Sequence, residues 1–369
     1  MPHASRKEGG DVNGCCGPSS CCSPAPDTYD YRTPTYIDGE FTTSVGPVPR
    51  VATTSIRHDR LGAIGARLGF SRSDRRVRPG LYAIGAPAER SPVLVTANYT
   101  LSFDAVRFAL HGWSVWLIVL DTLGVNVWCA AGKGTFGTAE VVRRVRESGI
   151  ERLVEHRTLV LPQLGAPGVA AHEVRDATGF RVVYGPVRAS DLPEFLDAGM
   201  RATAQMRRIR FGLTDRFVLT GVELSVLRDT RALGVAALLV ALAAFGLVPW
   251  PPVTIAVAGA VLAVVAGGFV VPVALPAVPG RMFAVKGALV GAAVAAALLV
   301  PTAPWLDAAG AVAVFLGMTV VSSFTAMNFT GASTFTSPSG VQWEMRRAIP
   351  VQAATAAAAI VALAVSVVT

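Results

Sequence analysis

Apolar residues between 91 and 184 come in short, near-continuous runs separated by mixed stretches. The pattern predicts a strand over 92–97, a helix over 102–111 and a buried strand over 113–120. A helix near 138–148, a strand at 157–162, a helix at 168–178 and a strand at 180–184 follow. Apolar strands alternating with helices indicate a parallel α/β sheet, whose ligands bind at the carboxyl ends of the strands. Residues 36–90 mix Gly and Pro throughout and predict no clear element. Residues 1–35 are rich in Gly, Pro, Ser and Asp and read as a disordered, cysteine-containing tail.

Beyond Arg231 the pattern changes. No charged residue occurs from Ala232 to Gly280. A helix needs about 20 residues to cross a hydrocarbon core of ~30 Å, so this run holds two spans, split near Trp250-Pro251-Pro252. Three more fall near 284–304, 307–329 and 348–369. Lipid offers no hydrogen bonds, so these segments must be helical. The domains are therefore a tail over 1–35, an α/β domain over 36–225 and a membrane domain over 226–369.

Composition agrees: the chain is 52% hydrophobic and only 16% charged, where a soluble chain carries about 25%. The last 138 residues hold four basic residues (Arg281, Lys286, Arg346, Arg347) and two acidic ones (Asp307, Glu344). With the N-terminal domain in the cytosol, Arg228, Arg231 and those four basic residues all lie on the cytosolic side. The positive-inside rule then gives five spans, N-in and C-out. No long apolar run opens the chain, so no signal peptide is expected. A multi-pass protein of the inner membrane with its soluble domain in reducing cytosol follows, where structural disulfides are rare. Arg72, Arg75, Arg76 and Arg78, and later Arg201, Arg207, Arg208 and Arg210, lack stacking aromatics. They read as solvated faces or contacts with anionic lipid, not as a nucleic-acid surface.

The chemistry is concentrated after the strand ending at Leu120. There Asp121-Thr-Leu-Gly-Val-Asn126-Val-Trp128-Cys129-Ala-Ala-Gly132-Lys133-Gly134-Thr135-Phe136-Gly137-Thr138 occupies the ligand end of the sheet. A phosphate loop would require G-x-x-x-x-G-K-[ST]. Val127 stands five before Gly132, and Gly134 follows Lys133, so nucleotide binding is not expected. Cys129 is the one cysteine outside the tail. A buried lone cysteine is ordinarily a small hydrophobe, but a helix N-terminus favours the thiolate, the form that ligates metal. Residue chemistry alone leaves nucleophile and axial ligand both open.

Asn126-Val-Trp-Cys-Ala-Ala-Gly-Lys133 resembles the signature of the mercury-methylating corrinoid protein (HgcA) family, continued by Gly134-Thr-Phe-Gly-Thr138. Val95-Thr-Ala-Asn98, Leu161-Pro-Gln-Leu-Gly165, Tyr184-Gly-Pro-Val-Arg188, Asn328-Phe-Thr-Gly331 and Thr334-Phe-Thr-Ser337 add to the likeness, which covers roughly 80–369. The α/β domain is also similar to the corrinoid iron–sulfur protein of the acetyl-CoA pathway. The resemblance implies a Rossmann-like corrinoid-binding domain followed by an all-α transmembrane domain of five helices.

It further implies a cobamide cofactor with Cys129 on a cap helix as the lower axial cobalt ligand and catalytic residue. Thr96, Asn98, Asn126, Val127, Trp128, Ala130, Ala131, Gly132, Lys133, Gly134, Thr135, Gln163, Gly165, Tyr184 and Gly185 are the implied cofactor contacts. Thiolate donation toward a trans methyl group suits transfer to a soft electrophile such as Hg(II), forming methylmercury. No His is preceded by Asp in a D-x-H-x-x-G pattern, and no C-x-x-C-x-x-C run for a cluster occurs. The implied partners are a ferredoxin-type 4Fe–4S reductant (HgcB-like) and a methyl-folate-dependent methyl donor.

Cys15, Cys16, Cys21 and Cys22 lie outside the family pattern. Vicinal thiols are soft ligands, and the tail reads as a capture site passing metal toward Cys129. These thiols leave arsenic or another soft element open as acceptor, with a one-carbon pathway component as a further alternative. A corrinoid-binding sensor or transporter without turnover is the reading from another class. No charged residue sits mid-span, which weighs against an ion path.

Overall fold

The computed structural model describes residues 35–70, 76–332 and 338–368. The four tail cysteines, Arg72 and Arg75, and the Thr334–Ser337 motif lie outside the described residues.

The soluble part is built on a seven-stranded sheet of order β1-β2-β3-β5-β4-β6-β7. The strands are β1 (Ile37–Thr43), β2 (Gly46–Val51), β3 (Gly80–Ile84), β4 (Val93–Ala97), β5 (Val115–Leu120), β6 (Thr158–Leu161) and β7 (Arg181–Tyr184). β4 pairs in parallel with β5 and with β6, and β6 with β7. That four-stranded group is the parallel sheet the apolar runs predict. The whole sheet is mixed, however: β3 runs antiparallel to β5, and β1 and β2 form an antiparallel hairpin. Every residue of β4 and β5 is buried, because helices cover both faces.

α1 (Arg57–Arg67), α2 (Thr100–Ala109), α3 (Val127–Lys133), α4 (Thr138–Ser148), α5 (Ala171–Thr178) and α6 (Leu192–Asp197) complete this part. One core packs α3, α4 and α5 residues such as Ala130, Val141 and Val174 onto one sheet face. A second packs Phe103 of α2 and Phe195 of α6 onto the other. From β4 the chain crosses to β5 on one side, then returns to β6 on the other. The β4/β6 boundary is thus a topological switch point, where a crevice opens at the strand ends.

α7 (Leu213–Glu223) joins the soluble part to the apolar helices. Its Arg216 is buried, and Nη1 donates to Val273 O (2.6 Å) and Pro272 O (3.4 Å). Phe211, just before α7, stacks near Phe329 at 6.2 Å, and Phe217 meets Phe269 at 5.8 Å. Lys286, also buried, donates to Leu275 O and Val278 O. Both cations thus sit on carbonyls freed at a helix C-terminus, where positive charge is favoured.

Among the described residues four helices are long and apolar enough to cross a membrane: Trp250–Val273, Phe283–Trp305, Ala308–Gly331 and Ser339–Val368. The first expected span is shorter. α8 (Thr230–Ala244) has 15 residues, roughly 22 Å at 1.5 Å per residue. Asp229 caps its start by accepting from Arg231 N and Ala232 N. Gly246, at φ +71°, ends it before the prolines at 249, 251 and 252.

Glycine lets the spans close on one another. A Cβ on Gly267 would lie 2.3 Å from Ser322 O, and one on Gly287 2.5 Å from the same atom. Residues Ala266–Val270 form a π-helical turn at this contact. Ser322 Oγ donates to Gly287 O and Ser323 Oγ to Ala284 O, the interhelical bonding expected of hydroxyls in lipid.

Candidate functional site

β5 ends at Leu120, and the next six residues deliver α3. Asn98, fully buried after β4, organises them. Its Oδ1 accepts from Thr122 N (3.1 Å), Thr122 Oγ1 (2.9 Å) and Gly124 N (2.9 Å). Its Nδ2 donates to Asp121 Oδ1 (3.0 Å), and Glu140 of α4 accepts from Asp121 N (2.8 Å). This network holds Leu123 and Gly124 at φ +56° and +72°, a conformation a leucine adopts only where its surroundings impose it.

α3 starts at an Asn126 N-cap whose side chain accepts from Cys129 N at 2.9 Å. It ends at Gly134, at φ +82°. Its two faces differ. Val127, Ala130 and Ala131 are buried in the core. Cys129, half-buried, shares the outer face with exposed Gly132 and Lys133, three and four residues on.

Gly132 has helical backbone, and a Cβ there would meet nothing within 4 Å. Glycine inside a helix is about 1 kcal/mol less favourable than alanine, and nothing within the chain requires it. The neighbouring glycines have internal reasons. A Cβ on Gly168 would lie 2.3 Å from Phe136 O and 3.0 Å from Ala131 Cα, and one on Gly165 2.5 Å from the Phe136 ring. Through them the turn Gln163–Gly168 clamps the inner side of α3.

Beside α3 a cleft of about 210 Å³ opens at the β4/β6 switch point. Thr96, Asn126, Val127, Trp128, Leu161 and Gly185 help line it, with Ser102 and Val106 from α2. Cys129, the next residue of α3, is not among the residues that line it. The implied contacts therefore divide. Thr96, Asn126, Val127, Trp128 and Gly185 face the cleft. Cys129, Gly132 and Lys133 face outward. Asn98, Ala130, Ala131, Gly134 and Gly165 shape the cap, and Thr135 Oγ1 donates to Ala130 O (3.5 Å).

Gln163 Oε1 accepts from Arg207 Nη1 (2.8 Å). Tyr184 donates to Val169 O (2.7 Å), and burial raises its phenol above the usual value of 10.0. The sequence reading did not single out Thr122, Glu140, Phe136 or Gly168, all needed to hold the cap. Among the described residues no group of three or more His, Cys, Asp and Glu is placed to hold a metal.

Residues 71–196, which include the sheet from β3 to β7, the cap and the cleft, match the family described as CO dehydrogenase/acetyl-CoA synthase delta subunit. The acetyl-CoA decarbonylase/synthase complex subunit gamma of Methanopyrus kandleri is 45% identical over 129 residues, 34% of this chain and 27% of that protein. Its counterpart in Methanothermobacter thermautotrophicus is 37% identical over 128 residues, 34% and 28% of the two chains. The corrinoid/iron-sulfur protein large subunit of Moorella thermoacetica is 30% identical over 127 residues, again 34% and 28%. The α/β part is related to the corrinoid protein of the acetyl-CoA pathway. The chain spans about a quarter of the length of these relatives, and the apolar helices lie outside residues 71–196.

Proposed function

We propose that this chain is a membrane-anchored corrinoid methyltransferase that delivers a methyl group to Hg(II). The observation that carries the reading is the outer face of α3, where a half-buried thiol stands beside a glycine with open space above it. A single thiolate from Cys129 would be a soft ligand for a metal that a cofactor brings with it. The open face at Gly132 lets a flat ring approach the helix backbone, which a side chain there would prevent.

The cleft is smaller than the roughly 300–1,000 Å³ of sites that enclose a drug-sized ligand. The residues that would hold a corrinoid are therefore those of the outer face of α3, Cys129 and Gly132, together with Thr96, Trp128 and Gly185 at the cleft. When bound, a cobamide would supply a cobalt-held methyl group transferable to a soft electrophile.

The chain's own residues do the rest. Asn126 fixes the first turn and so the direction of Cys129. Trp128 fills the wall beside the cleft and keeps water from the inner side. Transfer of a methyl group to a metal ion moves no proton, so this chemistry requires no general base beside Cys129. A ferredoxin-type reductant and a methyl-folate-linked donor complete the cycle. The spans anchor the domain in the inner membrane with the site on the cytosolic side, the arrangement the positive-inside rule favours.

The test is purification with cobamide, followed by absorption spectroscopy and a methylmercury assay with reductant and methyl donor. Cys129→Ala should lose the thiolate–cobalt spectrum and methylmercury formation together. A fully active variant would refute the ligand role. Turnover on As(III) but not Hg(II) would move the reading to another soft acceptor.

A further inference from the structure

α1 turns its large apolar side chains outward. Its inner side is made of Gly62 and Ala66, both buried, and of Asp59, whose Oδ2 meets Arg107 of α2 at 2.9 Å. Leu61, Ile64 and Leu68, spaced three and four apart and so on one face, are 69%, 52% and 43% exposed. Phe70, just beyond the helix, is 53% exposed. Arg57, Arg60 and Arg67 are exposed along the same side. Asp59 is the one acidic residue of α1, and it is turned inward.

The place of the helix in the fold says what this face meets. Gly221 of α7 brings its backbone onto the end of α1: a Cβ there would lie 2.8 Å from Arg67 O. Arg228 donates Nη2 to Leu68 O (2.5 Å) and lies 3.7 Å over the Phe70 ring. α7 is tied in turn, through Arg216, to Val273 at the end of the Trp250–Val273 helix. Arg228 itself stands one residue before Asp229, the cap of apolar α8. Both ties are to ends of apolar helices on the side of the soluble part. Given a bilayer around the four long helices, the end of α1 is therefore held at headgroup level. α7 adds Leu213 and Phe217, four residues apart and 57% and 55% exposed.

An apolar face flanked by arginines, with no carboxylate of its own turned outward, suits a helix lying in a membrane surface. The apolar side chains enter the upper acyl region while the long basic ones reach the phosphates. Arginine at that depth favours anionic lipid. We infer that α1 lies in the bilayer surface, with Leu61, Ile64 and Leu68 inserted and Arg60 and Arg67 on the phosphates of anionic lipid. The inference rests on the membrane reading of the long helices and is independent of the corrinoid chemistry.

The full chain in lipid nanodiscs, carrying benzoylphenylalanine at one position, provides the test. Irradiation joins that side chain to whatever touches it, and the intact mass identifies the adduct. Leu61→benzoylphenylalanine and Ile64→benzoylphenylalanine should gain the mass of a phospholipid. Leu363→benzoylphenylalanine, in the last long helix, should do the same, and Glu173→benzoylphenylalanine, on α5, should not. In discs of mixed phosphatidylcholine and phosphatidylglycerol, the adducts at 64 should be enriched in phosphatidylglycerol roughly three-fold over the mixture. Arg60→Gln combined with Arg67→Gln should abolish that enrichment. Leu61→Gln combined with Leu68→Gln should lower the adduct at 64 roughly three-fold. Neither pair should lower the melting temperature in detergent, because the altered side chains stand outside the core. Lipid adducts at 363 with none at 61 and 64 would overturn the proposal. Protein adducts at 61 and 64 would overturn it too, marking α1 as a docking face for another chain, and adducts without phosphatidylglycerol enrichment would remove the arginines from it. Absence of lipid at 363 as well would strike the membrane reading itself, and the proposal with it.

Discussion

The soluble half and the membrane half both depend on glycine, for different ends. Around α3, Gly165 and Gly168 let a turn press against the inner side of a short helix so that its outer side stands free. In the membrane half, Gly267 and Gly287 let long helices close on Ser322 until no side chain fits between them. One set of close contacts presents a surface; the other removes one. Polar groups divide likewise. Asn98 gathers donors from a loop to hold an unusual backbone, whereas Ser322 and Ser323 tie one regular helix to the next. A close backbone contact is thus a tool whose purpose is read from what lies on its far side.

The contrast can be broken at several points, and the largest effect belongs to Asn98. Asn98→Ala leaves the buried N–H groups of Thr122 and Gly124 without acceptors, each loss worth about 1–3 kcal/mol. A loss of roughly 3–5 kcal/mol in unfolding free energy of the soluble domain is expected, with hydrogen exchange rising first at 121–126. Gly168→Ala drives a methyl group into the α3 backbone and should cost about 1–3 kcal/mol, with limited proteolysis cutting near 163–168. Gly267→Ala should give a loss of similar size, about 1–3 kcal/mol, visible as a lower melting temperature in detergent and sparing the soluble domain.

Gly132→Ala sharpens the comparison by changing sign. It meets nothing and should stabilise the free protein by about 1 kcal/mol, while weakening cobamide retention on the column. Stabilisation with unchanged retention would mean that the outer face of α3 contacts no ligand.

The smallest effect is the pH response of Tyr184. Burial raises its phenol above 10.0, so the folded state holds that proton more tightly than the unfolded one. Its stability contribution is complete below pH 10 and declines as pH rises through the folded value. Tyr184→Phe should remove one high-pH transition from the 295 nm titration.

Much of the fold was legible from the apolar pattern. The helix expected near 138–148 is Thr138–Ser148, and β4 to β7 fall within a residue or two of the runs that predict them. Residues 36–90 were not, because β1 is largely exposed with Asp38, Glu40 and threonines along it, and β2 is a short strand interrupted by Pro47 and Pro49. The antiparallel β3 was hidden because strand direction leaves no mark in hydrophobicity. In the membrane half composition announced the helices, but the end of α8 depended on a single left-handed glycine.

At the site, the segment around Cys129 was conspicuous. The division of its residues between cleft, outer face and interior was not, since it depends on helical phase from Asn126 onward. Asn98 illustrates the limit. Its type and place at a strand end suggest ligand contact, yet every polar atom of its side chain is turned to the loop that carries α3.

Arg216 carries a mechanical consequence. A soluble domain hung on a flexible linker would sample a hemisphere above the bilayer. Here the junction is bolted: a buried guanidinium grips the carbonyls at Pro272 and Val273, and aromatic pairs flank it on either side. The α/β part is then held at a defined place against the apolar helices rather than trailing from them. Neutralising Arg216 would leave the carbonyls of Pro272 and Val273 without their donor and loosen the seat of α7 on the apolar helices.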